Sequence, residues 1–136
     1  MSIDLILVLV IGLLILSKSA DMIYIRLIGG HVEKINVSEL KEYLKSNKAN
    51  RDFLLLDVRT DVELKIGKIG GSVNVDYRKF KADDILIKNF REKPIVIYCE
   101  TGSRSKKIAT KLARKGFPKV YFLGGGYKVW RGEVSL

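Results

Sequence analysis

The chain has 136 residues, a formal net charge of +10, 47% hydrophobic and 29% charged residues, which bounds it to one globular domain plus a short appendage and excludes disorder. One cysteine excludes an intrachain disulfide, and with a single histidine no zinc cluster or other metal site is expected. The lysines are spread along the sequence with no arginine-rich block, so the charge reads as a solvated surface able to draw in small anions, and no nucleic-acid partner is expected.

Leu5 to Leu16 is an unbroken apolar run, bracketed by Asp4 and Lys18, with Met22 to Ile25 resuming apolar character beyond it. The run alone covers about 18 Å of helix, against a hydrocarbon core of about 30 Å. A helix from Ser2 to Tyr24 is expected to cross if Lys18 snorkels to one interface and Asp21 lies among headgroups. The rival is a cleaved signal peptide, disfavoured because the first residues carry Asp4 and no basic side chain. The sequence thus divides into a membrane anchor over 1–26, a linker over 27–34 and a domain over 35–136. Basic residues lie C-terminal to the span, which places the domain of a single-pass membrane protein on the cytoplasmic side.

After Gly29-Gly30 comes a short strand, Val32 to Ile35. Ser38 is the expected N-cap of a helix carrying Leu40, Tyr43 and Leu44 on one face. Phe53 to Leu56 reads as a strand buried on both faces, Val73 to Val75 as a third strand, and Asp83 or Asp84 as the cap of a helix running to Phe90. Pro94 opens a strand over Ile95 to Tyr98. The next helix sets Ile108, Ala109, Leu112 and Ala113 on one face and stops at Gly116 and Pro118. A strand, Val120 to Leu123, three glycines and a short helix toward Trp130 complete the chain. Apolar strands alternating with helices predict an α/β fold with a parallel sheet covered on both faces, binding ligands at the carboxyl ends of its strands.

Cys99 stands at such an end, followed by Glu100, Thr101, Gly102, Ser103, Arg104 and Ser105 and then the basic helix. A thiol at a helix N-terminus faces unpaired N–H groups and the positive end of the dipole, which favour the nucleophilic thiolate. The loop is short enough to curl its N–H groups around the sulfur as an anion-binding nest, with Gly102 free to take a positive φ. Arg104 offers a planar fork for an anionic donor, and Ser103 and Ser105 offer hydroxyls or helix caps. The alternative for Cys99 is a buried structural thiol, disfavoured by its place at the head of a polar loop.

Four segments in order resemble the rhodanese-like family. They are Leu56-Asp57-Val58-Arg59 with Glu63, Gly67 to Val75, Tyr98 to Ser105, and Gly125 to Trp130, and the resemblance covers about Ile35 to Trp130. It implies a five-stranded parallel sheet with helices on both faces, preceded here by one N-terminal hydrophobic helix. It also implies a sulfurtransferase in which Cys99 accepts sulfane sulfur from thiosulfate or a protein persulfide and passes it to a thiophilic acceptor, with no cofactor. Asp57, Arg59 and Glu63 are expected as a structural ion-pair group near the strand end, with Arg59 reaching the pocket as the alternative.

Two departures from the family stand out. Glu100 adds a negative charge beside the nucleophile, which should oppose thiolate formation and the approach of thiosulfate. Lys68, where the family commonly has a histidine, offsets that charge if it points to the mouth. A phosphatase or arsenate reductase of similar architecture would place five residues between cysteine and arginine, whereas four separate Cys99 from Arg104. A non-catalytic binding module of the same fold is the remaining rival, and the oligomeric state is open.

Overall fold

The computed structural model describes the backbone of residues 2–28 and 31–134 and the side chains of residues 2–16 and 31–133. The first element, α1 (Ile3–Ile28), is the expected helix, but it does not support the expected membrane anchor. Among the described residues no helix is long and apolar enough to cross a membrane. The physical reason lies in the sequence: the unbroken apolar run Leu5–Leu16 ends well short of a bilayer's thickness. The roles expected of the Lys18 and Asp21 side chains and the Gly29-Gly30 linker lie outside the described residues. The apolar side chains from Leu5 to Leu16 are exposed, and none of them belongs to the core.

The rest is a parallel sheet of five strands, β1 (Glu33–Ile35), β2 (Leu54–Asp57), β3 (Val73–Asn74), β4 (Ile95–Tyr98) and β5 (Val120–Leu123), in the order β1-β5-β4-β2-β3. All four residues of β2 and of β4 are buried, as uninterrupted apolar strands inside a covered parallel sheet must be. Leu54, Leu56, Ile95 and Ile97 face a cluster with Ile108, Ala109 and Leu112, while Leu55, Val96 and Tyr98 face one with Val37, Leu40 and Tyr127. Successive strand residues thus feed cores on opposite faces.

Helix α2 (Val37–Ser46) is capped by Asn36 and not by Ser38: the Asn36 side chain accepts from the Glu39 N–H, and the Glu39 carboxylate accepts in return from the Asn36 N–H. A one-turn helix, α3 (Asp61–Leu64), was not expected from the sequence. Its cap is Thr60 with Glu63, a Thr-x-x-Glu box visible in the sequence but followed by too short an apolar run to register. Asp84 caps α4 (Ile85–Asn89). The loop after β4 leads into α5 (Ser103–Arg114) and β5 into α6 (Gly126–Val134). The centre of the sheet therefore delivers β4, and Cys99 behind it, to the edge where β2 also ends.

Candidate active site

Cys99 is fully buried. Its Sγ accepts N–H bonds from Gly102 at 3.1 Å and Ser105 at 3.4 Å, with the Ser105 hydroxyl 3.4 Å away. Two backbone dipoles thus converge on one sulfur, an arrangement that stabilises negative charge there. Gly102 makes the turn possible: at φ 97° it occupies the left-handed region expected of it, and an added Cβ would crowd the backbone of Gly125 and Leu123 at 3.3 Å. Neither Ser103 nor Ser105 caps α5, since Gly102 is the N-cap and accepts the Ser105 hydroxyl through its carbonyl at 3.1 Å. Thr101 and Ser103 are exposed on the loop's outer side.

The loop is held from behind by α6. The Tyr127 and Lys128 N–H groups donate to the Cys99 and Glu100 carbonyls at 2.8 and 3.0 Å. Because peptides are trans, this turns the following N–H groups away from α6. The close approach requires glycine: a Cβ on Gly126, at φ 64°, would lie 2.5 Å from the Cys99 carbonyl oxygen. The glycine turn after β5 therefore also shapes the cysteine loop.

Arg59 is fully buried and lies within the protein framework rather than in an open pocket. Its guanidinium grips the Asp57 carboxylate at 2.9–3.2 Å and donates to the carbonyls of Glu63 and Gly67 at 3.1 and 2.7 Å. The Tyr127 ring stacks 4.0 Å from it. A buried guanidinium demands this pairing, and by meeting it Arg59 ties the end of β2 to α3 and to the following loop. Asn74 and Tyr98 extend the frame: the Asn74 amide donates to the carbonyls of Asp57 and Arg59, and the Tyr98 hydroxyl accepts from the Ile69 N–H and donates to Ser72.

The expected trio of Asp57, Arg59 and Glu63 is split. Asp57 pairs with Arg59, but the Glu63 carboxylate turns to Arg104, whose two terminal nitrogens donate to it at 2.8 and 2.5 Å. The Arg104 guanidinium holds the Glu63 carboxyl near a pKa of about 2, against an ordinary 4.5. Glu63 in turn raises Arg104, and the charge of Cys99 acts on the same guanidinium in the same direction. Arg104, expected to offer its fork to an anionic donor, therefore carries a resident carboxylate.

The Glu100 carboxylate lies 3.5 Å from Arg59 and 3.4 Å from Arg131, two positive charges that accompany the negative charge expected beside the nucleophile, while its buried Oε2 accepts no hydrogen bond among the described residues. Arg131 was not recognised from the sequence; nothing in a terminal helix marks a partner for a residue so far upstream. Lys68 is exposed and, among the described residues, makes no ion pair with the loop. Among the described residues no cluster of His, Cys, Asp and Glu could hold a metal. A cavity of about 310 Å³ between α2 and the sheet is lined by Ile35, Tyr43, Val96 and Tyr121 and does not include Cys99.

The family model described as Rhodanese-like domain matches residues 36–133. A tRNA uridine(34) hydroxylase of Streptococcus uberis is 34% identical over 106 residues, covering 75% of this chain and 31% of that protein. The chain thus spans about a third of the length of the curated relatives it matches. A solved protein of unknown function from Rhodopseudomonas palustris, titled a possible tyrosine phosphatase, superposes with a TM-score of 0.65 at 25% identity, covering 76% of this chain and 82% of that one. An NAD-dependent persulfide reductase of A. fulgidus superposes with a TM-score of 0.54 at 29% identity, covering 73% of this chain and 16% of that one.

Proposed function

The chain belongs to the rhodanese-like domain family, and from that premise we propose that Cys99 carries sulfane sulfur as a persulfide, taking it from a small anionic or persulfide donor and passing it to a thiophilic acceptor. The observation that carries the reading is the nest at the head of α5, where the Gly102 and Ser105 N–H groups converge on Sγ. The thiolate attacks the outer sulfur of the donor, and the same N–H groups then hold the charge of the Cys99 persulfide until an acceptor removes its terminal sulfur. The four-residue interval between Cys99 and Arg104 makes a ring suited to one sulfur atom and tighter than a phosphate requires.

Intact-protein mass spectrometry after exposure to sulfur donors tests this. Wild type is expected to gain about 32 Da, one sulfur atom, and Cys99→Ala to gain nothing. A second reading, a non-catalytic module of the same fold, is favoured by the complete burial of the Cys99 side chain; absence of the adduct with every donor would establish it over the first. Release of phosphate from a phosphotyrosine analogue, lost in Cys99→Ser, would overturn both.

The relatives' name brings tRNA forward as a partner, against the exclusion of nucleic acid read from the dispersed lysines. Retardation of tRNA by this chain in a native gel at physiological salt would remove that exclusion; free migration would retain it.

A further inference from the structure

We propose that Glu63 sets donor specificity by occupying the guanidinium of Arg104, so that Cys99 is loaded by persulfides, which bring no oxyanion group to that guanidinium, and poorly by a small dianion such as thiosulfate. The inference rests on the persulfide reading above and adds to it the class of donor.

A sulfonate-like oxyanion is recognised best by a guanidinium presenting two parallel N–H groups. Arg104 is the group near the sulfur with that geometry, and both of its terminal nitrogens are already engaged by Glu63 at 2.8 and 2.5 Å. Its face is covered by the Tyr77 ring at 5.1 Å. Glu63 is fixed in turn, because its Oε2 also accepts from the Thr60 N–H and hydroxyl at 2.9 and 3.0 Å. Swinging the carboxylate aside therefore breaks the cap of α3 as well as the ion pair. The pair is three-quarters buried, with 24% and 27% of the side chains exposed, so water and salt screen it less than a surface bridge.

The neighbouring guanidiniums offer no easier seat. Arg59 is enclosed by Asp57, Tyr127 and backbone carbonyls, and Glu100 stands between it and Arg131. Thiosulfate would have to displace a carboxylate and then sit beside it, two negative charges against a third. A persulfide R–S–SH makes no such demand. The Cys99 thiolate forms a bond to its outer sulfur, the S–S bond between the inner and outer sulfur breaks, and R–S⁻ leaves with the electron pair, giving the Cys99 persulfide with its proton retained. No oxidant or reductant is consumed. With thiosulfate the same displacement expels sulfite, but only after the dianion has reached Arg104.

The experiment compares the rate of sulfur loading on Cys99 from thiosulfate and from glutathione persulfide in the full chain, read as the sulfur adduct by mass spectrometry over a range of donor concentrations. Glu63→Gln keeps the cap acceptor and removes the charge. It is expected to raise the thiosulfate-to-persulfide ratio by about tenfold or more, through a lower KM for thiosulfate. Glu63→Asp keeps the charge but shortens the reach to Arg104, and is expected to raise the ratio by less; it carries the comparison if the Gln variant does not fold. A ratio within about twofold of wild type in the folded variants overturns the inference and leaves the persulfide reading in place. No loading of wild type by either donor overturns both.

Discussion

Gly126 brings the start of α6 against the carbonyls of Cys99 and Glu100, and the contact is too close for any side chain. Gly126→Ala combines a left-handed φ with a Cβ 2.5 Å from a carbonyl oxygen, so it is expected to cost about 1–3 kcal/mol and to slow sulfur loading together with stability. Urea titration and adduct kinetics measure the two effects; a variant as stable and reactive as wild type would show that the loop does not lean on α6. Glu63 gives a pH prediction. Its carboxyl is depressed in the folded state to about 2 from 4.5, so the native state binds fewer protons than the unfolded chain in that interval. The stabilisation is complete above the unfolded value and lost as pH falls through the folded one. Wild type is expected to exceed Glu63→Gln in urea midpoint at neutral pH and to converge with it at about pH 2. Asp76 titrates in the same region but is common to both proteins and cancels.

At the scale of elements, two capping boxes of the same chemistry sit in different places. Asn36 and Glu39 start α2, whereas Thr60 and Glu63 start α3, whose carboxylate also reaches the cysteine loop. Asn36→Ala and Thr60→Ala are each expected to lower stability by about 1 kcal/mol. Only Thr60→Ala is expected to change the preference between thiosulfate and a persulfide donor, since it frees Glu63 to move. Equal donor preferences in the two variants would show that α3 contributes stability alone. The Thr60-x-x-Glu63 pattern stands in the sequence but did not register as a cap, and that the carboxylate serves two partners was not legible either, because Arg104 is 41 residues away and reaches it only through the adjacency of β2 and β4.

For the whole molecule, the core is built from the sheet and the helices α2, α4, α5 and α6, and the described side chains of α1 take no part in it. A chain beginning at residue 31 is therefore expected to unfold cooperatively with the urea midpoint of the full chain, and a large loss would reveal packing against α1. Leu56, fully buried in β2 between β3 and β4, marks the opposite case. Leu56→Ala is expected to cost about 2–5 kcal/mol by opening a cavity where neighbours on both sides are fixed.

The order of strands and helices, the position of Cys99 at a strand end and the left-handed Gly102 follow from local rules: apolar runs, caps and the conformational freedom of glycine act within a few residues. The four-residue spacing also puts Arg104 in the first turn of the helix that follows the cysteine loop. Only the tertiary structure decided which charges meet. It buried Arg59 against Asp57, gave Glu63 to Arg104, and set Glu100 between Arg59 and Arg131. Spacing along the chain fixes neighbours within a turn or a loop. Pairings between α3, the cysteine loop and α6 exist because the strand order brings three distant segments to one edge of the sheet, where buried charges must find partners.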